Sequence, residues 1–347
     1  MTTVDPLVVD VPGATPHRVT VVGSGTSFEV LPGERLLSAA RRAGIWLPFE
    51  CGWGSCGTCK VTVVEGETKL LYAAAPAVDP RDGRRRRVLA CQSTPTADLK
   101  IRVAQSSDSS TSRPPVVDHF GQLVAREDLG PDVARFRFSI GAEATYRPGQ
   151  HAILDLGAGL RRCYSMAGLP GSSEVSFIAK RYAGRPGSER LFCVAEGDEV
   201  PMELPYGDMF LREGDDPVVL IAGGTGISAI LAMTTQLAML AGGADHHGRA
   251  VHVFYGAGAT SELVCWDELG RATASLRNGH LHGALLDAPG DWHGTTGFVT
   301  TALAEHLPGL TDAMFYVAGP PPMTNATLAL LRDNGIELDR IHYDSFG

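Results

Sequence analysis

The sequence predicts a multidomain chain of mixed α+β and α/β class: a small strand-and-helix block, an antiparallel β-barrel, then a doubly wound parallel-sheet domain. Three observations carry this expectation. Four cysteines with a tight spacing sit inside a short block of alternating strands, Cys51, Cys56, Cys59 and Cys91. Short alternating strands with few helix signals follow. The last third then switches to continuous apolar runs separated by glycine turns and helices, the mark of strands buried on both faces. A length of 347 residues has room for two or three domains. The expected division is a tail at 1–16, a first block at 17–104, a linker at 105–115, a barrel at 116–213 and a last domain at 214–347.

The first block opens with two strands, Arg18 to Val22 and Thr26 to Val30, around the hairpin signal Gly23-Ser24-Gly25. Leu36, Leu37, Ala40 and Ala43 have helical spacing, and Gly44 ends that helix. Strands are expected at Lys60 to Val64 and Leu99 to Val103. The serine-rich stretch from Ala104 to Pro115 is a linker by composition. In the middle block, Val133 to Phe138 and Glu174 to Ile178 alternate, and Arg147-Pro148-Gly149 turns the chain into a strand from His151. In the last block, buried strands are expected at Pro217 to Ala222, Ala250 to Tyr255 and Ala313 to Ala318, with an apolar helix over Ile230 to Leu240.

Cys51, Cys56 and Cys59 form a C-x4-C-x2-C loop, and Cys91 follows far downstream in Leu89-Ala90-Cys91-Gln92. Two irons need two thiolates each, and this spacing is the plant-type [2Fe–2S] pattern. Gly52, Gly54 and Gly57 would let the loop take positive φ and bring N–H groups to the sulfurs. A structural zinc site, the alternative, usually pairs two C-x2-C knuckles, and only one is present. Seven cysteines, an odd number, argue against a disulfide framework. Cys163, Cys193 and Cys265 are then simplest as small buried hydrophobes.

Three further strings suggest anion and nucleotide binding. Arg162-Cys163-Tyr164-Ser165 puts a guanidinium, an aromatic ring and a hydroxyl where a phosphate and a ring system could be held, although an ordinary edge strand would look the same. Gly184 to Glu189 includes Gly187 and Ser188 at the start of a short helix, a second anion candidate or simply a turn and cap. Gly223-Gly224-Thr225-Gly226 lies between a buried strand and a helix, as a pyrophosphate-binding turn requires. Tyr255 and Gly256 end the next strand, where a ribose would lie; from Gly256 to Glu262 there is no Lys or Arg, and Glu262 can accept from a ribose hydroxyl, which favours NADH over NADPH. Gly319 and Pro320 begin a rigid Pro-rich turn at a third strand end.

Charge is uneven. Residues 1–105 carry 13 Lys/Arg against 10 Asp/Glu, and the rest carries 17 against 29, within a total of −9. So acidic a whole makes nucleic acid an unsuitable partner. No apolar run reaches the ~18–20 residues of a membrane helix and no signal pattern opens the chain, so a cytoplasmic, monomeric protein without membrane contact is expected. The basic run of Arg81, Arg84, Arg85, Arg86 and Arg87 is either a solvated loop or a docking patch for an acidic partner.

Together these motifs resemble the NAD(P)H-dependent reductase components of bacterial multicomponent oxygenases, over nearly the whole chain from His17. The resemblance implies a β-grasp ferredoxin domain, an FAD-binding barrel and an NAD(P)H domain. It implies that Arg162 grips the FAD pyrophosphate, that Tyr164 and Ser165 line the flavin ring with Ser165 near N5, and that Gly187 and Ser188 give a second phosphate contact. Phe346, or else Tyr343, would pack over the flavin. One departure is Ala318, where the family often has cysteine before Gly-Pro, so no thiol serves hydride transfer there. The implied flow is NAD(P)H to FAD to cluster to an oxygenase, diiron or Rieske, or to a separate ferredoxin. A general ferredoxin reductase, a self-sufficient oxidoreductase and a zinc-holding binding module are the other readings.

Overall fold

A computed structural model describes residues 15–73, 75–103, 115–157, 160–241 and 248–345. The expected linker therefore falls almost entirely outside the described residues, as does Phe346. The chain forms two compact units. The first comprises Met1–Phe120 with Ile153–Cys163 and Val200–Tyr206; the second comprises Gly121–Ala152, Tyr164–Glu199 and Gly207–Gly347.

The first unit holds a five-stranded sheet in the order Ser27–Val30, His17–Val21, Leu99–Arg102, Lys60–Glu65, Arg87–Leu89. The opening pair is antiparallel, and His17–Val21 runs parallel to Leu99–Arg102. A core-facing helix, Leu36–Arg42, buries Leu36, Leu37, Ala39 and Ala40, the residues its 3.6-residue period puts on one side. Gly44 at φ +69 ends it. Val19, Phe28, Val30, Val61 and Ile101 complete this core, together with Cys59 and Cys91.

A buried ion set lies in the same unit. Glu203 meets Arg161 and Arg41, and Arg41 also reaches Asp118 at 2.5 Å. The Tyr206 hydroxyl donates to Glu203 and accepts from Arg41 at 2.9 Å. Burial pushes the Glu203 carboxyl up, but the two guanidinium groups outweigh it and hold the group at about 2. Removing one member of such a set leaves an uncompensated buried charge, at a cost of about 3–5 kcal/mol.

A second six-stranded sheet is antiparallel where its register is defined, as in the pairing of Val133–Ser139 with both Val117–Gly130 and Glu174–Lys180. The third sheet, wholly in the second unit, is parallel throughout. Its order is Thr295–Thr296, Gly279–Asp287, Val251–Ala259, Val218–Gly223, Met314–Gly319, Ile341–Ser345. Val218–Gly223 is central and every residue in it is buried, which is why its sequence is a continuous apolar run. The helix Gly224–Ala241 departs from the expectation on apolar length, since it is long and apolar enough for a membrane span. Its composition reflects the core instead: 56% of it is buried, with Ile227, Ile230, Leu231 and Met233 packed into the sheet.

Four imidazoles gather on that sheet. His252 and His282 approach at 3.2 Å through ring nitrogens, His280 stacks on His252, and His306 packs on His282. Burial, reinforced by the neighbouring imidazoles, lowers His252 and His282 from 6.5 to about 4. Because the folded values lie below the unfolded one, this contribution is complete above pH 6.5 and declines as pH falls towards 4. The melting temperature is expected to drop across that window, and a His252→Asn, His282→Asn double variant should flatten the drop in a melt series against pH.

Candidate functional site: paired thiols and a nucleotide crevice

The cysteine loop runs between the helix and the strand Lys60–Glu65. Gly52, Gly54 and Gly57 all take positive φ, at +68, +100 and +80. This winding aims main-chain N–H groups at sulfur: Ser55 and Cys56 donate to Cys51 Sγ at 3.3 and 3.4 Å, and Thr58 donates to Cys56 Sγ at 3.4 Å. The thiols fall into two pairs. The Cys56 main-chain N–H binds Cys51 Sγ, and Cys59 Sγ lies 3.2 Å from Cys91 Sγ. Two pairs of thiols fit the donor set of a two-iron cluster, which takes two thiolates on each iron. Gln92, next to Cys91, is buried and its amide donates to the Trp53 carbonyl at 2.7 Å, tying the distant cysteine's segment to the loop.

The strand Arg161–Ser165 carries the guanidinium–aromatic–hydroxyl string. Arg162 is part-exposed, lies over the Tyr72 ring at 5.9 Å, and donates to the Arg161 carbonyl. In the second unit, Tyr164 packs near Phe177 and Ser165 is buried with its Oγ lacking a hydrogen-bond partner. An orphaned buried hydroxyl is costly unless something else satisfies it, so Ser165 fits a polar ligand atom. Gly187 and Ser188 lie in the helix Pro186–Phe192. The Ser188 hydroxyl is occupied locally, accepting from Tyr182 N at 2.9 Å and bonding the Tyr182 and Arg185 carbonyls.

A cavity of about 530 Å3 lies at the carboxyl edge of the parallel sheet, lined by Gly223, Gly224, Thr225, Gly256, Glu262 and Pro320 among others, the residues expected to receive a nucleotide. Gly224 has φ +52, and a Cβ on Gly226 would lie 2.0 Å from the Ala318 carbonyl oxygen, so the turn can pack there only without side chains. Gly319 is buried behind the turn, its own Cβ position 2.6 Å from Met323.

Two expectations change. Tyr255 is not at the ribose position: it is fully buried, and its hydroxyl lies 3.4 Å from the Gly224 and Glu262 carbonyls, bracing the turn from behind. Burial pushes its phenol well above the usual range. Nor is the crevice without a cation. Lys180, from the strand Glu174–Lys180, pairs with Glu262 Oε1 at 2.9 Å, while Glu262 Oε2 accepts from Gly258 N at 3.0 Å. Hydrogen bonding to Lys180 chiefly lowers the Glu262 carboxyl. Lys180 escaped sequence reasoning because it lies far from the nucleotide loops along the chain; its place at the end of an alternating strand was the available signal. Phe298, exposed at the same cavity, gave no sequence signal.

Comparison with known proteins agrees with this anatomy. Residues 19–96 match the 2Fe-2S iron–sulfur cluster binding domain, and residues 220–328 match the oxidoreductase NAD-binding domain. The fold and site thus define an iron–sulfur oxidoreductase that uses a nicotinamide nucleotide. The chain is 35% identical to the ferredoxin–NAD(+) reductase component of an alkene monooxygenase system from Xanthobacter autotrophicus, covering 94% of this chain and 99% of that one. It is 33% identical to a phenol 2-monooxygenase reductase component from a Pseudomonas species, covering 91% and 90%. Among solved structures, a ferredoxin reductase in carbazole 1,9a-dioxygenase superposes with a TM-score of 0.84 at 27% identity, covering 96% and 99%. The chain belongs to the family of reductase components of multicomponent oxygenases.

Gly226→Val should lose NADH binding, since the added side chain must displace the Ala318 carbonyl. Such overpacking costs about 1–3 kcal/mol. Titration with NADH, alongside a circular dichroism check of folding, measures it.

Proposed function

We propose that this protein passes electrons from NADH through FAD to a [2Fe–2S] cluster and on to the hydroxylase of a monooxygenase. The single observation that carries the flavin assignment is the orphaned Ser165 hydroxyl on the strand that also bears Arg162 and Tyr164. A ferredoxin reductase structure in carbazole 1,9a-dioxygenase described as an FAD apo form, with a TM-score of 0.80 at 27% identity, supports it. When bound, FAD accepts a hydride and yields electrons singly to the cluster. Arg162 grips its pyrophosphate, Tyr164 and Ser165 line the ring, and main-chain groups of Gly187 and Ser188 give a second phosphate contact. Gly223, Gly224, Thr225 and Gly226 receive the nucleotide pyrophosphate, with Gly256, Glu262, Gly319 and Pro320 around it. Cys51 and Cys56 hold one iron, and Cys59 and Cys91 the other. Phe346, outside the described residues, is the aromatic assigned to the flavin face; Tyr343 is exposed on the last strand.

The relatives named above as monooxygenase components favour that acceptor class over a dioxygenase. A cytoplasmic monomer with domain limits at 17–104, 116–213 and 214–347 completes the proposal. A visible spectrum with flavin bands and an iron–sulfur envelope, both bleached by NADH without organic substrate, tests the reading; absence of either chromophore refutes it. Ser165→Ala should slow flavin reduction in stopped-flow, and an unchanged rate would remove Ser165 from the site.

The Lys180–Glu262 pair supports NADH, because the lysine charge is already neutralised and unavailable to a 2′-phosphate. NADH should therefore show the higher kcat/KM. Glu262→Gln should release Lys180 and improve NADPH use about tenfold relative to NADH, the equivalent of one 1.4 kcal/mol contact.

In the arginine run, Arg81 pairs with Asp79 at 2.8 Å and Arg86 donates to the Gly66 carbonyl, while Arg84 and Arg85 are exposed. The latter two are the better docking candidates for an acidic hydroxylase surface. Replacing both by Ser should lower electron delivery to the hydroxylase, with a weaker salt dependence, and leave dye reduction intact.

A further inference from the structure

We propose that Arg41 and Gly52 are positioning residues for electron transfer to the iron–sulfur cluster: together they seat the cysteine loop against the strands that lead to the flavin residue Arg162. The proposal rests on the assignment of Arg162 to FAD and of the four cysteines to the cluster.

Gly52 follows the ligand Cys51. A Cβ there would lie 2.5 Å from Ile153 Cδ1 and 2.6 Å from Tyr206 Cε1. Its φ of +68 explains a glycine in the turn, but not this contact. The loop's main chain lies directly on two buried side chains that belong to barrel strands, Ile153 in His151–Asp155 and Tyr206 in Glu199–Tyr206. Phe49 adds a ring edge to Tyr206 at 5.4 Å.

The same Tyr206 is fixed at its other end. Its hydroxyl is bound by Glu203 and Arg41, and Arg41 rides on the helix that precedes the cysteine loop. Glu203 in turn holds Arg161, the immediate neighbour of Arg162, whose guanidinium folds back onto the Arg161 carbonyl at 2.8 Å. An unbroken set of contacts thus runs from Gly52 through Tyr206, Glu203 and Arg161 to Arg162. Buried charges tolerate few arrangements, because each must stay paired. That intolerance suits a device that holds a distance.

In each transfer one electron leaves the reduced flavin and one ferric iron becomes ferrous, with NADH as the reductant. The test is anaerobic stopped-flow mixing of NADH with loaded holoprotein, following flavin and cluster bands separately, with cluster content checked by electron paramagnetic resonance. Arg41→Met and Gly52→Ala should bleach flavin at the wild-type rate but reduce the cluster about tenfold or more slowly, as ångström-scale misplacement does in geometry-limited steps. Arg41→Lys should recover much of the loss. Should either variant fail to load its cluster, Ile153→Ala loosens the same seat without touching loop or charge, and should slow the same step. Cluster reduction at the wild-type rate in the loaded variants overturns the proposal, as does a fall in melting temperature with no change in rate. A wild-type protein whose flavin NADH fails to bleach refutes the proposed function instead.

Discussion

A carboxylate with almost no access to water is the constraint around which the first unit is organised. Glu203 is charged in the folded state because Arg161 and Arg41 compensate its burial. Both cations come from distant parts of the chain, so the group is satisfied only when a helix near the amino terminus and two later strands are together. Apolar packing would hold the same elements with more freedom to slide. An ion set with a phenol inside it admits one register, and the cysteine loop inherits that register through Tyr206.

The parallel sheet solves a different problem. Its central strands end in glycines, and the carboxyl edge is left as main chain: Gly223 and Gly226 back onto Met323 and the Ala318 carbonyl, with no room for a side chain between. The crevice is therefore shaped by what is missing. A turn at a helix start offers main-chain donors that need no charged side chain to attract an anion.

Much of this was legible from sequence. The helix Leu36–Arg42 and the strands Val218–Gly223 and Met314–Gly319 lie within a residue or two of where periodicity and apolar runs put them. Their signals are local, set by spacing and by burial on both faces. The four cysteines were legible as one set from their spacing, but which thiol lies beside which needed the three-dimensional fold. Tyr255 was misjudged because a strand end next to a glycine turn can present a side chain to the crevice or to the core, and periodicity does not decide which. Arg41 and Glu203 carried no signal, and Lys180 only its place at the end of an alternating strand, since a charged residue on a helix or strand looks solvated until its partner arrives from elsewhere in the chain.

Lys180 shows what such long-range pairing means for heredity between related proteins. The cation at the nucleotide crevice is encoded in a strand before residue 214, while the carboxylate it neutralises is encoded after it. A chimera that took its carboxyl-terminal segment from this chain and the rest from a relative would keep Glu262 and leave its counter-ion behind. The crevice is thus not a portable module: its charge is inherited from two places along the chain, and recombination anywhere between Lys180 and Glu262 separates them.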